Sequence, residues 1–391
     1  MHKSDPNGAG HLLGKLEGEA RQVPRHLHFV QSLELQQGAG LGLSALQLHL
    51  ALQGLGHESR LLTTRGGPAS AVLPGVCEFT RRGPDRLFFA PGLGRAAADW
   101  LGGGDAVVHG HGFYVWPNAV VGWMARRHGV PLVYHPQGML DPWILRRSRG
   151  KKRVAHWLFE DANFRAVRLW RAVSAREADQ VRAQGIHAPV IVVPNGIDMA
   201  PFGGDRNPAR PVRQALFLGR VHPKKGLDLL VAAWAKLGAA AREWELVIAG
   251  PDENGYRAVI EGQVRAAGLE GVVRFVGPVS GAAKIAQLAA AELFVLTSYS
   301  EGFPMAVLEA MASGVPVLAT EECNFPDVAA HEAGWLCRAE AEAVATTLRQ
   351  AIEAGDDERT QRGRLGRQLV EGRYSWSQLA AELHSACADL L

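Results

Sequence analysis

Residues Ala291 to Thr320 read AELFVLTSYSEGFPMAVLEAMASGVPVLAT, and this stretch decides the fold. Leu293 to Leu296 is an apolar run of strand length, and Thr297 to Glu301 is a polar loop. Pro304 sits where proline is tolerated, in the first turn of a helix that ends at Gly314. Val315 to Ala319 reads as the next buried strand, so the unit is strand, loop, helix, strand of a parallel sheet. Met305, Ala306, Val307, Leu308, Ala310 and Met311 make the helix apolar nearly all round, which predicts burial. Glu309 on such a helix either sits at the rim or has a hydrogen-bonding partner, because an unpaired buried carboxylate is costly.

At the front of this helix, beside Gly302 and Phe303, unpaired backbone N–H groups and the positive end of the dipole offer a seat for phosphate. Glu301 and Glu309, eight positions apart, can hold sugar hydroxyls. Glu301-Gly302-Phe303-Pro304 followed by Glu309 resembles the E-x7-E signature of retaining glycosyltransferase family 4, whose members have the two-domain GT-B fold. The resemblance implies that Glu301 and the backbone after it, Gly302, Phe303 and Pro304, meet the donor sugar and phosphate. It implies that Glu309 holds the ribose.

The chain has 391 residues, too many for one small core and enough for two domains of about 150 to 200 residues. With 47% hydrophobic residues and 45 glycines, the composition is that of a loop-rich α/β protein. No run approaches the roughly 18 consecutive apolar residues of a membrane span. Residues 1–22 lack an apolar signal core and read as a flexible tail, which predicts a cytoplasmic protein. Cys77, Cys323, Cys337 and Cys387 have neither C-x-x-C spacing nor a histidine cluster in sequence, so they read as small buried hydrophobes. The net charge of +3 conceals an asymmetry. Residues 1–195 carry 23 Lys and Arg against 14 Asp and Glu, and the remainder 19 against 25, so the halves face different partners.

In the first half, His26 to Gln31 reads as a strand, then Gln37-Gly38-Ala39-Gly40-Leu41-Gly42 as a glycine loop and Leu43 to Leu52 as a helix. The loop can cradle phosphate or sugar, or it is an ordinary strand-to-helix turn. Its spacing is not G-x-G-x-x-G, and the second strand ends in Leu62-Thr63-Thr64-Arg65 without an acid for a nicotinamide ribose, so an NAD oxidoreductase is disfavoured. Similarity to family 4 places Gly38 and Gly40 near the donor phosphates. Ala106 to His111 is a strand whose alternation points His109 and His111 to one side. The resemblance favours His111 as the histidine that contacts the transferring sugar, with His109 as second choice. Leu132 to His135 is a further strand, and Gln137 and Asp141 in the loop after it are candidate acceptor contacts. Arg146, Arg147, Arg149, Lys151, Lys152 and Arg153 form a basic run flanked by Trp143 and Trp157. It suits an anionic membrane surface, an anionic acceptor, or solvent alone.

Leu169 to Val173 and Val190 to Val193 read as the last strands of the first domain, and Pro194-Asn195-Gly196-Ile197-Asp198 breaks the chain. This string is also similar to family 4 at the domain junction. The boundaries are therefore a tail at 1–22, a first Rossmann-like domain at 23–200 and a second at 201–391. In the second, Ala215 to Gly219 is a strand followed by Arg220-Val221-His222-Pro223-Lys224-Lys225-Gly226, a cationic loop that suits a diphosphate. The resemblance assigns Arg220 and Lys225 to that diphosphate, with Lys224 replacing Lys225 in a shifted register. Strands at Glu245 to Gly250 and Val272 to Gly277 end in Gly-Pro loops, and the family resemblance puts the base beside Val276 and Gly277. Ser375 to Leu391 has helical spacing, and the GT-B fold implies a terminal helix packed back across the junction.

The fold class read from the sequence is thus α/β, GT-B, two doubly wound Rossmann-like domains facing across a cleft. The implied function is a retaining glycosyltransferase that moves a sugar from a nucleotide-sugar to a hydroxyl of a glycan or lipid-linked acceptor, without a cofactor. No Asp-x-Asp motif is present to chelate a metal at the diphosphate, so none is expected there. Rival readings are a sugar-nucleotide epimerase of the same fold and a non-catalytic sugar-nucleotide-binding subunit. No nucleic-acid partner is expected.

Overall fold

A computed structural model describes residues 23–33, 39–66, 73–146, 149–203 and 212–391, except that the side chains of Ala39, Arg86, Trp143, Arg146 and Arg149 are not described. Gly38, the tail 1–22 and Arg147 lie outside the described residues. Among the described residues the strands form two all-parallel sheets. The first holds β1 (Arg25–Phe29), β2 (Ser59–Arg65), β3 (Val76–Thr80), β4 (Ala106–His111), β5 (Leu132–His135), β6 (Val167–Ala172) and β7 (Val190–Val192), in the order β3-β2-β1-β4-β5-β6-β7. The second holds β8 (Arg213–Leu218), β9 (Trp244–Ala249), β10 (Val273–Gly277), β11 (Leu293–Leu296), β12 (Val317–Thr320) and β13 (Gly334–Cys337), in the order β10-β9-β8-β11-β12-β13.

Both orders reverse direction once, at β1/β4 and at β8/β11. Such a reversal opens a crevice at the carboxyl ends of the strands, because the loops on its two sides leave in opposite directions. The sequence stretch 291–320 supplies one wall of the second crevice: β11 is fully buried, and Val307, Leu308, Ala310, Met311 and Ala312 bury the helix Met305–Ala312. Pro304 caps that helix rather than lying inside its first turn, and β12 begins two residues later than Val315. The helix over Ala39–Gly54 starts before Leu43, so Gly40 and Gly42 lie in its first turns. Gly42 is needed there for packing, since a Cβ would stand 2.3 Å from the Ser32 carbonyl oxygen.

The chain crosses between the sheets after Val192 and returns near Ser375. Ile197 pairs with Ser375, and the Ile197 amide donates to the Tyr374 carbonyl at 2.8 Å. The terminal helix Trp376–Ala388 then buries Trp376, Ala380, Leu383 and Cys387 against Leu48, Leu52, Val107, Val133 and Leu169 of the first domain. The carboxyl terminus is thereby part of the first domain's core. Cys323, Cys337 and Cys387 are buried free thiols, whereas Cys77 on the edge strand β3 is half-buried.

Candidate active site

The loop after β8 is shaped by two locks. His222 Nδ1 accepts from the Lys224 amide at 3.0 Å and caps the short turn Pro223–Lys225, which Gly226 ends with φ +62°. A Cβ on Gly226 would lie 1.9 Å from the Thr297 carbonyl oxygen, and Thr297 Oγ1 donates to the Gly226 carbonyl at 2.8 Å. The loops after β8 and β11 are therefore clamped together across the reversal, and only glycine fits the clamp.

The clamp brings together two of the expected residues. Lys225 Nζ stands 2.6 Å from Glu301 Oε1, and Ser298 Oγ donates to the same oxygen at 2.5 Å. The pair is mostly buried, with side-chain exposures of 17% for Lys225 and 12% for Glu301, so the charges sit where bulk water screens them weakly. Tyr299 donates its amide to the Lys224 carbonyl at 2.9 Å, and burial lowers the Lys224 ammonium pKa from its ordinary value despite the nearby Asp141 and Glu301. Asn324 Nδ2 holds the Glu301 carbonyl at 2.6 Å, and the Glu301 amide donates to the Glu322 carbonyl at 3.1 Å. Among the described residues the amides of Gly302 and Phe303 have no backbone acceptor, so they remain available to an anion. The Phe303 ring points elsewhere, packing edge-on against Phe325 at 5.6 Å.

Glu309 has the partner its burial demands: Lys284 Nζ at 2.5 Å. Both line a cavity of about 850 Å³ that also touches Gly40, Ser44 and Asn195 of the first domain and Trp376 of the terminal helix. Arg220 stands apart. It is 59% exposed and pairs with Glu253, which His222 also approaches at 3.9 Å. Val276 and Gly277 end β10, two strands from Arg220, and the Gly250 amide donates to the Gly277 carbonyl at 2.8 Å. Val276 packs on the core, and Gly277 turns the chain at φ +75°.

The first domain meets this site directly. Ser300 Oγ donates to Asp141 Oδ2 at 2.8 Å, and a Cβ on Gly302 would lie 3.1 Å from Gly138 Cα. Gln137, at φ +52°, bonds Ser44 at 3.0 Å and Asn195 at 3.0 Å. Asp141 therefore ties the two domains' loops, while Gln137 braces the first domain's loop against Ser44 and Asn195. His111 is fully buried, with Nε2 held by His28 Nδ1 at 3.1 Å, and only its Nδ1 is unpartnered among the described residues. His109 has both ring nitrogens occupied, by His26 and His135, and is not placed to touch a ligand.

Sequence reasoning missed Lys284, Ser298, Glu253 and Asn324. Lys284 had a signal, being the one charged residue of the helix GAAKIAQLAA. The others are ordinary polar residues whose role comes from tertiary contact.

Residues 206–368 match a family model described as "Glycosyl transferases group 1", and residues 38–201 one described as "Glycosyltransferase Family 4". The chain is 30% identical over 389 residues to D-inositol 3-phosphate glycosyltransferase 2 of Catenulispora acidiphila, covering 88% of each chain. It is 34% identical over 287 residues to the D-inositol 3-phosphate glycosyltransferase of Actinosynnema mirum, covering 66% of this chain and 65%, under two thirds, of that relative. Among solved structures, sucrose-phosphate synthase from Thermosynechococcus elongatus superposes with TM-score 0.73 at 20% identity, over 94% of this chain and 99% of that one. Anabaena HepE in complex with UDP and glucose also gives 0.73, at 19% identity over 94% and 100%. These two likenesses establish the GT-B fold.

Proposed function

Because this chain belongs to glycosyltransferase family 4 and has the GT-B fold, we propose that it is a retaining, metal-independent glycosyltransferase acting on a nucleotide-sugar. It passes the sugar to a hydroxyl of a growing cell-surface polysaccharide or lipid-linked glycan. The observation that carries this reading is the Lys225–Glu301 pair, 2.6 Å apart at the sheet reversal and facing the first domain's Gly138 loop. In the reaction Lys225, Arg220 and the Gly302 and Phe303 amides take the developing charge of the departing diphosphate. Glu301 orients the sugar and Glu309 the ribose. Of the two His111 ring nitrogens, Nδ1 is left to meet the transferring sugar. The acceptor oxygen bonds the anomeric carbon on the face from which the diphosphate leaves, and a diphosphate oxygen takes the hydroxyl proton.

Two of the relatives that support the reading are named for inositol 3-phosphate. An anionic polyol is therefore a first acceptor to try beside glycans. Thermal shift across a panel of nucleotide-sugars tests the donor: at a hundred times its dissociation constant the true donor should stabilise by about 2.7 kcal/mol. Transfer should then persist in excess chelator. Failure of every nucleotide-sugar to shift the transition overturns the donor assignment. Release of an isomerised sugar without transfer favours the epimerase, and loss of activity restored by magnesium or manganese overturns the metal-independent step.

The reading also places the enzyme in the cytoplasm, docked on the inner face of an anionic membrane. Val154, Trp157 and Leu158 are 56%, 81% and 61% exposed, directly after the exposed cations Lys151 and Arg153. An exposed apolar ridge beside cations suits acidic lipid headgroups. Among the described residues no helix is long and apolar enough to cross a membrane.

A further inference from the structure

β1, β4 and β5 carry five histidines that the transfer reaction leaves largely unused. Parallel register sets His28 beside His109 and His111 beside His135, and alternation adds His26 to the same face. All five are at most 1% exposed. The terminal helix contributes a sixth, His384, half-exposed at the opposite end of the row.

Their bonds run head to tail. His384 Nδ1 meets His26 Nε2 at 2.9 Å, His26 Nδ1 meets His109 Nε2 at 2.9 Å, and His109 Nδ1 meets His135 Nε2 at 3.1 Å. A neutral imidazole has one N–H and one bare nitrogen, and each ring-to-ring bond holds one proton. Four neutral rings joined by three such bonds have one proton left for two end nitrogens, His384 Nε2 and His135 Nδ1. The chain thus has two neutral states, with every ring either Nε2–H or Nδ1–H. His135 Nδ1 has no partner among the described residues, and His135 opens the loop that carries Gly138 to Gly302.

We propose that this row is a proton relay: a proton taken up from water at His135 Nδ1, at the buried head of the loop that carries Gly138, appears as charge on His384 at the back of the first domain. Starting from the Nε2–H state, His135 Nδ1 gains one proton from a hydronium ion, which leaves as water, and His135 Nε2 passes its own to His109 Nδ1. His109 Nε2 passes to His26 Nδ1, and His26 Nε2 to His384 Nδ1. One N–H forms at the inner end, each of the three bonds shifts its proton by one ring, and His384 ends doubly protonated.

The charged groups around the row favour this direction. The buried Arg171 guanidinium acts on His109, His111 and His135, so it favours a bare nitrogen at the inner end and repels charge from it. Glu177 and Glu382 face Arg171 rather than the row, and His49 flanks His28. Burial drives the inner rings far below the ordinary histidine range, whereas His384, stacked at 3.5 Å on His57, is lowered less by burial and by that neighbour. Charge therefore comes to rest on His384.

Donor nitrogens of His26, His28 and His109 also lie within 4.8 Å of one another. A shared metal does not fit: the His28 and His109 rings stack at 17°, so their in-plane lone pairs do not converge, and His26 and His109 already share a proton.

Nitrogen NMR of protein labelled at histidine tests the relay and needs no turnover, so its failure is distinct from failure of the glycosyltransferase reading. In the wild type, the His135 tautomer and the His384 titration should share one midpoint, below 6.5. In His57→Ala both midpoints should rise together, because a repelling neighbour is gone. In His384→Phe, checked for folding by circular dichroism, the His135 tautomer should no longer follow that midpoint. The relay is overturned by a His135 tautomer constant across the His384 titration, by midpoints that separate in His57→Ala, or by unchanged behaviour in His384→Phe. Stoichiometric metal in the purified protein would overturn it too.

Discussion

Lys225 shows how one side chain can be read for both stability and activity. It sits on a short turn whose shape depends on His222 and Gly226, not on the Lys225 head group, so removing the ammonium leaves the turn standing. Lys225→Ala should stay folded, with a lower thermal transition because the mostly buried Glu301 carboxylate loses its cation, and cut transfer by about 10²- to 10³-fold, the cost typical of a lost preorganised charge. Steady-state rates on the folded variant check this, and a loss below about threefold removes Lys225 from the diphosphate. Glu309→Ala should instead weaken nucleotide affinity, read by titration calorimetry. The variant also leaves Lys284 without its partner, so Glu309→Gln separates lost ribose contact from a stranded cation.

At the scale of elements, the strand-loop-helix-strand unit was legible because its parts obey rules that act within a few residues: an apolar run, a proline at a helix start, a glycine at its end. β3 and β13 were not read, since an edge strand with half-buried VCEFT and a four-residue GWLC carry little alternation. Glu301, Glu309, Lys225 and His111 were singled out by motif and resemblance, yet His111's hold on His28 depends on register between β1 and β4, which no local pattern encodes. The clamp of the loops after β8 and β11 is a similar long-range fact. Gly226→Ala should both destabilise the protein, since φ +62° and a 1.9 Å clash with the Thr297 carbonyl each strain it, and lower transfer by moving Lys225. A thermal transition unchanged from wild type would mean the loop relaxes freely. For the segment Arg149–Glu160, the double variant Trp157→Ser, Leu158→Ser should leave the melting temperature near wild type, as both side chains are exposed, and release the protein from acidic liposomes in sedimentation. Equal sedimentation of the two proteins would return the ridge to solvent.

For the molecule as a whole, the histidine row makes the first domain, and with it the terminal helix, sensitive to acid. Burial holds His26 and His111 down to about 3 and drives His28, His109 and His135 well below their ordinary 6.5. A depressed histidine is neutral in the folded chain and protonated in the unfolded one. Below 6.5 the unfolded state therefore binds more protons, and stability falls as pH falls, with the loss continuing down toward the folded values. Glu160 acts in the opposite sense, because burial pushes its carboxyl up to about 7, so the folded state holds a proton there that the unfolded state gives up above 4.5. The five histidines outnumber Glu160 and Glu177, whose carboxyls burial raises, so unfolding below 6.5 takes up protons on balance and stability falls with pH. A domain with a typical reserve of about 5 to 15 kcal/mol should then unfold cooperatively in mild acid. Chemical denaturation at a series of pH values gives the slope directly. A slope of about one proton or less between pH 6 and 5 would show that the row takes charge without unfolding. A steep slope should be reduced by about one proton in His28→Gln, whose amide can still meet His111 and does not titrate.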